Sequence, residues 1–179
     1  MNGAILAGGA GSRLGGVSKA MLELDGRPLA VHVAEVLAQV CELVAIVCKP
    51  DTELPQIAGV DRLDEPAEPR HPLTGIVHAL EQAGGPVLVC AVDMPWVTAD
   101  ACRSLLDAAP GAPAAVAVGD GEICPVFAVY APDALTTLRS APADAPLRET
   151  VEALDPARVA LPPALLRSVN EPADVNLQR

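Results

Sequence analysis

The chain has 179 residues, 51% of them hydrophobic, and a formal net charge of −11. That length suits one domain with a sizeable core, and the acidic balance excludes broad binding to nucleic acid or an anionic membrane, which needs basic surface. Trp96, Phe127 and Tyr130 are the only aromatic residues, so the core must be aliphatic.

Taken in order, Gly3 to Ala7 is predicted as a strand that breaks into a glycine-rich stretch, Gly8-Gly9-Ala10-Gly11-Ser12-Arg13-Leu14-Gly15-Gly16-Val17-Ser18-Lys19. Pro28 to Val40 reads as a helix, with proline at its first position and Leu29, Val33, Val36, Leu37 and Val40 apolar. Leu43 to Cys48 is a second strand, and Val60 to Leu63 a short third one ending at Asp64-Glu65. Leu73 to Ala83 is a helix. Pro86 to Val92 is apolar throughout, as expected of a central strand buried on both faces. Thr98 is an N-cap candidate for the next helix. Ala114 to Val118 and Pro125 to Tyr130 read as two strands around the turn Gly119-Asp120-Gly121. A helix near Pro146 to Leu154 and strands near Arg158 to Leu161 and Leu166 to Val169 complete the prediction. Short apolar runs alternating with helical patterns indicate an α/β fold with a mainly parallel sheet. Residues 1–179 read as a single domain, with no internal repeat and no clear linker.

The glycine-rich stretch carries the clearest chemistry. Gly8, Gly9 and Gly11 let the main chain approach an anion, and successive N–H groups in such a turn form an anion site. Arg13 adds a planar fork of donors and Lys19 a compact charge, a set that neutralises a phosphoryl or nucleotidyl group in transfer. The common P-loop does not fit, because Lys19 follows Ser18 and precedes Ala20. The dinucleotide fingerprint does not fit either, because Leu14 stands where its third glycine belongs.

Asp93 follows the apolar run Val87 to Val92, at the carboxyl end of a predicted central strand, where α/β ligand sites form. It is a candidate Mg²⁺ ligand, the alternative being an aspartate that ends the strand before Pro95. Asp64-Glu65 admits two readings, a nucleotide or metal contact and a solvated turn. His71 lies in a polar loop and is a candidate substrate contact, whereas His32 and His78 lie in helical patterns and read as structural or surface residues. Five cysteines without a C-x-x-C pair argue against disulfides or zinc. Apolar runs free of Lys and Arg stay well short of a membrane span and no signal peptide is visible, so the cytoplasm is the expected compartment.

The segments Leu6-Ala7-Gly8-Gly9, Ser12-Arg13-Leu14-Gly15 and Lys19-Ala20 together resemble the signature of Rossmann-like nucleotidyltransferases. Within that superfamily the chain most resembles the molybdenum cofactor guanylyltransferases, the MobA-like proteins. Leu22-Glu23-Leu24-Asp25-Gly26-Arg27-Pro28-Leu29, Pro72-Leu73-Thr74-Gly75-Ile76, Asp93-Met94-Pro95 and Val169-Asn170-Glu171-Pro172-Ala173-Asp174 support this. The resemblance implies a three-layer Rossmann-like fold and transfer of GMP from GTP to the phosphate of molybdenum-loaded molybdopterin, with Mg²⁺ as cofactor and pyrophosphate as product. It implies nucleotide contacts by Leu6, Ala7, Gly8, Gly9 and Asp64, and phosphate contacts by Arg13 and Lys19. It also implies metal binding by Asp93 and a pterin contact by Asn170. A molybdoenzyme or its chaperone would be the expected protein partner.

The chain departs from the family where base and pterin are met. No asparagine stands near Val47-Cys48-Lys49, His71-Pro72 replaces a Gly-Pro, and Cys124-Pro125 replaces a His-Pro. Nucleobase and acceptor are therefore more open than reaction type. A CTP-dependent relative, another small-phosphate nucleotidyltransferase and a non-catalytic nucleotide-binding adaptor are the alternatives.

Overall fold

Alternating apolar runs and amphipathic helices can bury both kinds of element only in layers. A computed structural model of the chain describes residues 1–9, 18–142, 145–169 and 174. In chain order, β1 (Asn2–Leu6) is followed by a two-residue hairpin, β2 (Glu23–Leu24) and β3 (Arg27–Pro28). Next come α1 (Leu29–Leu37), β4 (Leu43–Cys48), β5 (Val60–Asp64), α2 (Pro72–Ala83), β6 (Val87–Ala91) and α3 (Ala99–Ala108). Then follow β7 (Ala114–Gly119), β8 (Glu122–Tyr130), α4 (Leu135–Ser140), α5 (Leu147–Glu152) and β9 (Ala157–Ala160).

Seven strands form one sheet in the order β5-β4-β1-β6-β8-β7-β9. β1 pairs in parallel with β4 and β6, β4 with β5, and β7 with β9. β8 is antiparallel to both β6 and β7, so β8 alone runs against the rest. Side chains alternate between the faces. Ile5, Ile46 and Cys90 face one core with α1 and α3, whereas Leu6, Val47 and Val89 face the other with α2, α4 and α5. The result is the expected three-layer, mainly parallel arrangement. Fully buried Leu29, Leu37, Ile76 and Leu88 each contribute about 1.5–3 kcal/mol of transfer free energy.

The β7–β8 hairpin turns at Asp120 (φ 50°) and Gly121 (φ 81°), the pair of positive φ values that a tight primed turn demands. Pro125 cannot donate to a ladder, and the β7–β8 register shifts between Val116 and Ala117, skipping from Ala128 to Cys124 on the facing strand. The buried Tyr130 hydroxyl donates to the Pro125 carbonyl at 2.7 Å and ties this bulge down.

The strand expected near Leu166 to Val169 is absent. A 3₁₀ turn occupies Pro163–Leu166, and the described residues after it pair with no strand. Pro162 and Pro163 supply no backbone donors, so the segment lies against the sheet rather than joining it. Val169 is nonetheless fully buried with Leu24 and Leu29, and its N–H donates to the Asp93 carbonyl at 2.8 Å. Helix α4 and the β2–β3 hairpin are not expected from the sequence.

Candidate active site

The carboxyl ends of β1, β4 and β6 lie side by side, with Leu6 opposite both Val47 and Ala91. Parallel strands that end together leave a crevice over their carboxyl edge. A cleft of about 300 Å³ opens there. Of the residues expected at a site, Leu6, Ala7, Gly8, Gly9, Lys19, His71 and Asp93 line it. Glu65, Gly75, Val126 and Ser168 complete its walls. Arg13 and Asn170 lie outside the described residues.

Lys19 and Asp93 are 74 residues apart in sequence and meet in the cleft, Nζ to Oδ2 at 2.7 Å. Ser18 caps the short 3₁₀ turn Lys19–Met21 by accepting from the Ala20 N–H, which fixes where Lys19 starts. Asp93 is fixed from both sides: Val92 N–H donates to the Leu6 carbonyl at 3.0 Å, and the Asp93 carbonyl accepts from Val169. One side brings the first strand, the other the end of the chain, so three distant segments converge on this carboxylate.

His71 is the N-cap of α2, its Nδ1 accepting from the Leu73 N–H at 3.3 Å. The positive end of a twelve-residue helix thus faces the cleft beside Pro72.

The acidic pair at the end of β5 divides between the two sides of the sheet. Asp64 is half exposed, accepts from Arg62 Nε at 2.7 Å, and does not line the cleft. Glu65 does, and it is buried. Its N–H donates to the Cys48 carbonyl at 2.9 Å, and its Oε1 lies 3.4 Å from Lys49 Nζ. Lys49 is fully buried and also donates to the Pro66 and Pro69 carbonyls at 2.7 and 2.8 Å. Burial pushes the Glu65 carboxyl above its ordinary range, with Lys49 opposing the shift. Strand parity holds the signal for both residues: Leu63 and Val47 face the α2 core, so Glu65 and Lys49, two positions on, face the same way.

Among the described residues no three acidic, histidine or cysteine side chains cluster to hold a metal unaided. Asp93 offers one carboxylate in a cleft fit for phosphates, the donor set Mg²⁺ takes when substrate oxygens and water supply the rest. No helix of the described residues is long and apolar enough to cross a membrane.

Comparisons with known proteins give the family and the fold. Residues 3–159 match the family model of the MobA-like NTP transferase domain. A molybdenum cofactor guanylyltransferase from Cereibacter sphaeroides is 39% identical over 132 residues, covering 72% of this chain and 67% of its own. One from Pseudomonas putida is 34% identical over 162 residues, 84% of each chain. Molybdopterin-guanine dinucleotide biosynthesis protein A from Archaeoglobus fulgidus superposes with a TM-score of 0.74 at 23% identity, over 98% of this chain and 95% of its own, which shows a shared fold.

Proposed function

The chain belongs to the MobA-like NTP transferase family and is a nucleotidyltransferase; from that premise we propose that it transfers GMP from GTP to the terminal phosphate of molybdenum-loaded molybdopterin. An acceptor phosphate oxygen bonds to the α-phosphorus, the bond from that phosphorus to the β-bridging oxygen breaks, and pyrophosphate leaves with the electron pair. The observation that carries this reading is the meeting of Lys19 and Asp93 beside Gly8 and Gly9. The relatives in Cereibacter and Pseudomonas, named molybdenum cofactor guanylyltransferases, support guanylyl transfer in the making of that cofactor.

The residues take roles that follow from their chemistry. Leu6, Ala7, Gly8 and Gly9 receive the nucleotide along the backbone at the end of β1. Lys19 and, from outside the described residues, Arg13 take the phosphate charge. Asp93 would hold Mg²⁺, which when bound would draw charge from the reacting phosphates. His71, at the α2 N-terminus, and Asn170 contact the substrates. No protein nucleophile is required, because in-line displacement at phosphorus depends on positioning and charge neutralisation. The five thiols are unpaired, which suits a reducing cytoplasm, where a molybdoenzyme or its chaperone would receive the product.

The test is pyrophosphate release with Mg²⁺ and molybdenum-loaded molybdopterin, with GTP, CTP, ATP and UTP compared. Release with GTP alone is expected. Release with CTP alone moves the protein to cytidylyl transfer. Binding without release from any of the four makes it an adaptor or assigns it another acceptor.

A further inference from the structure

Gly8 has no room for a side chain: a Cβ there would lie 1.9 Å from Glu65 Oε1 and 3.7 Å from Lys49 Cε. The end of a glutamate usually yields to such an intrusion, but this one is hemmed in. Its other oxygen, Oε2, would lie 3.1 Å from a Cβ at Gly75 of α2. Lys49 holds Oε1 and is itself fastened to the Pro66 and Pro69 carbonyls. The carboxylate therefore sits between two glycine Cα atoms, and a Cα hydrogen of Gly8 points at Oε1. Oε2 is buried with no hydrogen-bond partner among the described residues, an arrangement that costs stability.

We propose that Glu65, braced by Lys49, is a positioning residue: it is the stop against which Gly8 seats, and so sets where the phosphate loop leaves β1. Three adjoining strands contribute, since Gly8 follows β1, Lys49 follows β4 and Glu65 follows β5, all on the α2 side of the sheet. The same ammonium pins residues 66–69, the approach to His71 and Pro72 on the opposite wall of the cleft. Stability alone does not call for charge here, because apolar side chains of similar volume commonly replace a buried ion pair without loss. Its effect on substrate runs through Gly8. The proposal rests on the reading of Gly8 and Gly9 as nucleotide contacts.

The test is a double-mutant cycle read in the dissociation constant of GTP with Mg²⁺, with folding of each variant followed by circular dichroism. Gly8→Ala and Glu65→Ala are each expected to weaken GTP by about tenfold or more, with the double variant binding at least about fivefold more tightly than the product of the two losses predicts. The methyl introduced at position 8 then occupies the space that the carboxylate vacated. Glu65→Gln, which keeps the length of the side chain, restores most of the affinity lost in Glu65→Ala. Where Glu65→Ala does not fold, the cycle is run with Lys49→Met added throughout, which removes the orphaned ammonium. Independent losses at the two positions, or unchanged GTP affinity in Glu65→Ala, overturn the inference and leave the proposed function standing. A wild-type protein that binds no nucleotide overturns both.

Discussion

Lys19 and Asp93 meet Nζ to Oδ2 at 2.7 Å, with each side chain mostly withdrawn from water. The pair joins the turn that begins at Lys19 to the segment just past β6, and under the proposed function either group would release the other on meeting a phosphate or a divalent cation. Asp93→Ala is expected to lower pyrophosphate release by at least about a hundredfold, the scale of losing one preorganised charge at a reacting centre. The thermal midpoint should stay near wild type, since Asp93 is also held through its backbone. Parallel calorimetry and turnover assays check this, and normal turnover would remove Asp93 from the chemistry.

Glu65 makes stability depend on pH with a definite sign. Its carboxyl is raised by burial, against the pull of Lys49, His78 and Arg70. A group raised in the folded state binds its proton more tightly there, so its contribution is present below the unfolded value and is lost as pH rises through the folded one. Glu65→Gln removes that titration. The stability difference, wild type minus Glu65→Gln, should therefore fall as pH rises above about 4.3 and level off above the folded value. Denaturant titrations at a series of pH values measure the slope, and a difference that grows with pH contradicts the assignment.

Tyr130→Phe removes the hydroxyl that closes the bulge at Pro125, leaving that carbonyl without this donor. The expected loss is about 1–2 kcal/mol, or roughly 2–8 °C in thermal midpoint for a chain of this size. Calorimetry reads it directly. Because β8 adjoins β6 and its Val126 lines the cleft, a small rise in KM should accompany the loss.

The three buried cysteines should be silent in the folded protein. Burial pushes Cys48 up to about 11 and Cys102 up to about 12, and raises the fully buried Cys90 well above the ordinary thiol range. The thiolate is the reactive form, so these three should resist iodoacetamide at pH 7.5 and react once guanidinium unfolds the chain. Peptide mapping after native and denatured labelling distinguishes the two states.

The sheet is legible in the sequence because its strands are short aliphatic runs bounded by turns. Leu43–Cys48 has the limits that its apolar run predicts, and Gly119-Asp120-Gly121 is a turn as its residues require. Leu166 to Val169 misleads because packing Leu166 on the main core and burying Val169 with Leu24 and Leu29 need the same apolar residues as a strand, without its ladder. The β2–β3 hairpin is too short to show a period, although Asp25-Gly26 is the dipeptide its turn requires. At the site, the positions of Gly8, Lys19 and Asp93 can be read from residue type and strand order. Lys49 takes its direction from the parity of β4, although a lysine just past an apolar strand signals a surface position until its partner is known. Glu65 needs the parity of β5, which separates it from Asp64.

The hydrogen bond from Val169 to the Asp93 carbonyl also sets an order of events during synthesis. The ribosome delivers β1, the loop and β6 long before residue 169, so an unfinished chain can form most of the sheet with its cleft open on one side. Until Val169 arrives, Leu24, Leu29 and Trp96 lack their cover and Asp93 lacks its last anchor. A chain that has not yet reached Val169 would hold most of its sheet while Leu24 and Leu29 still face water.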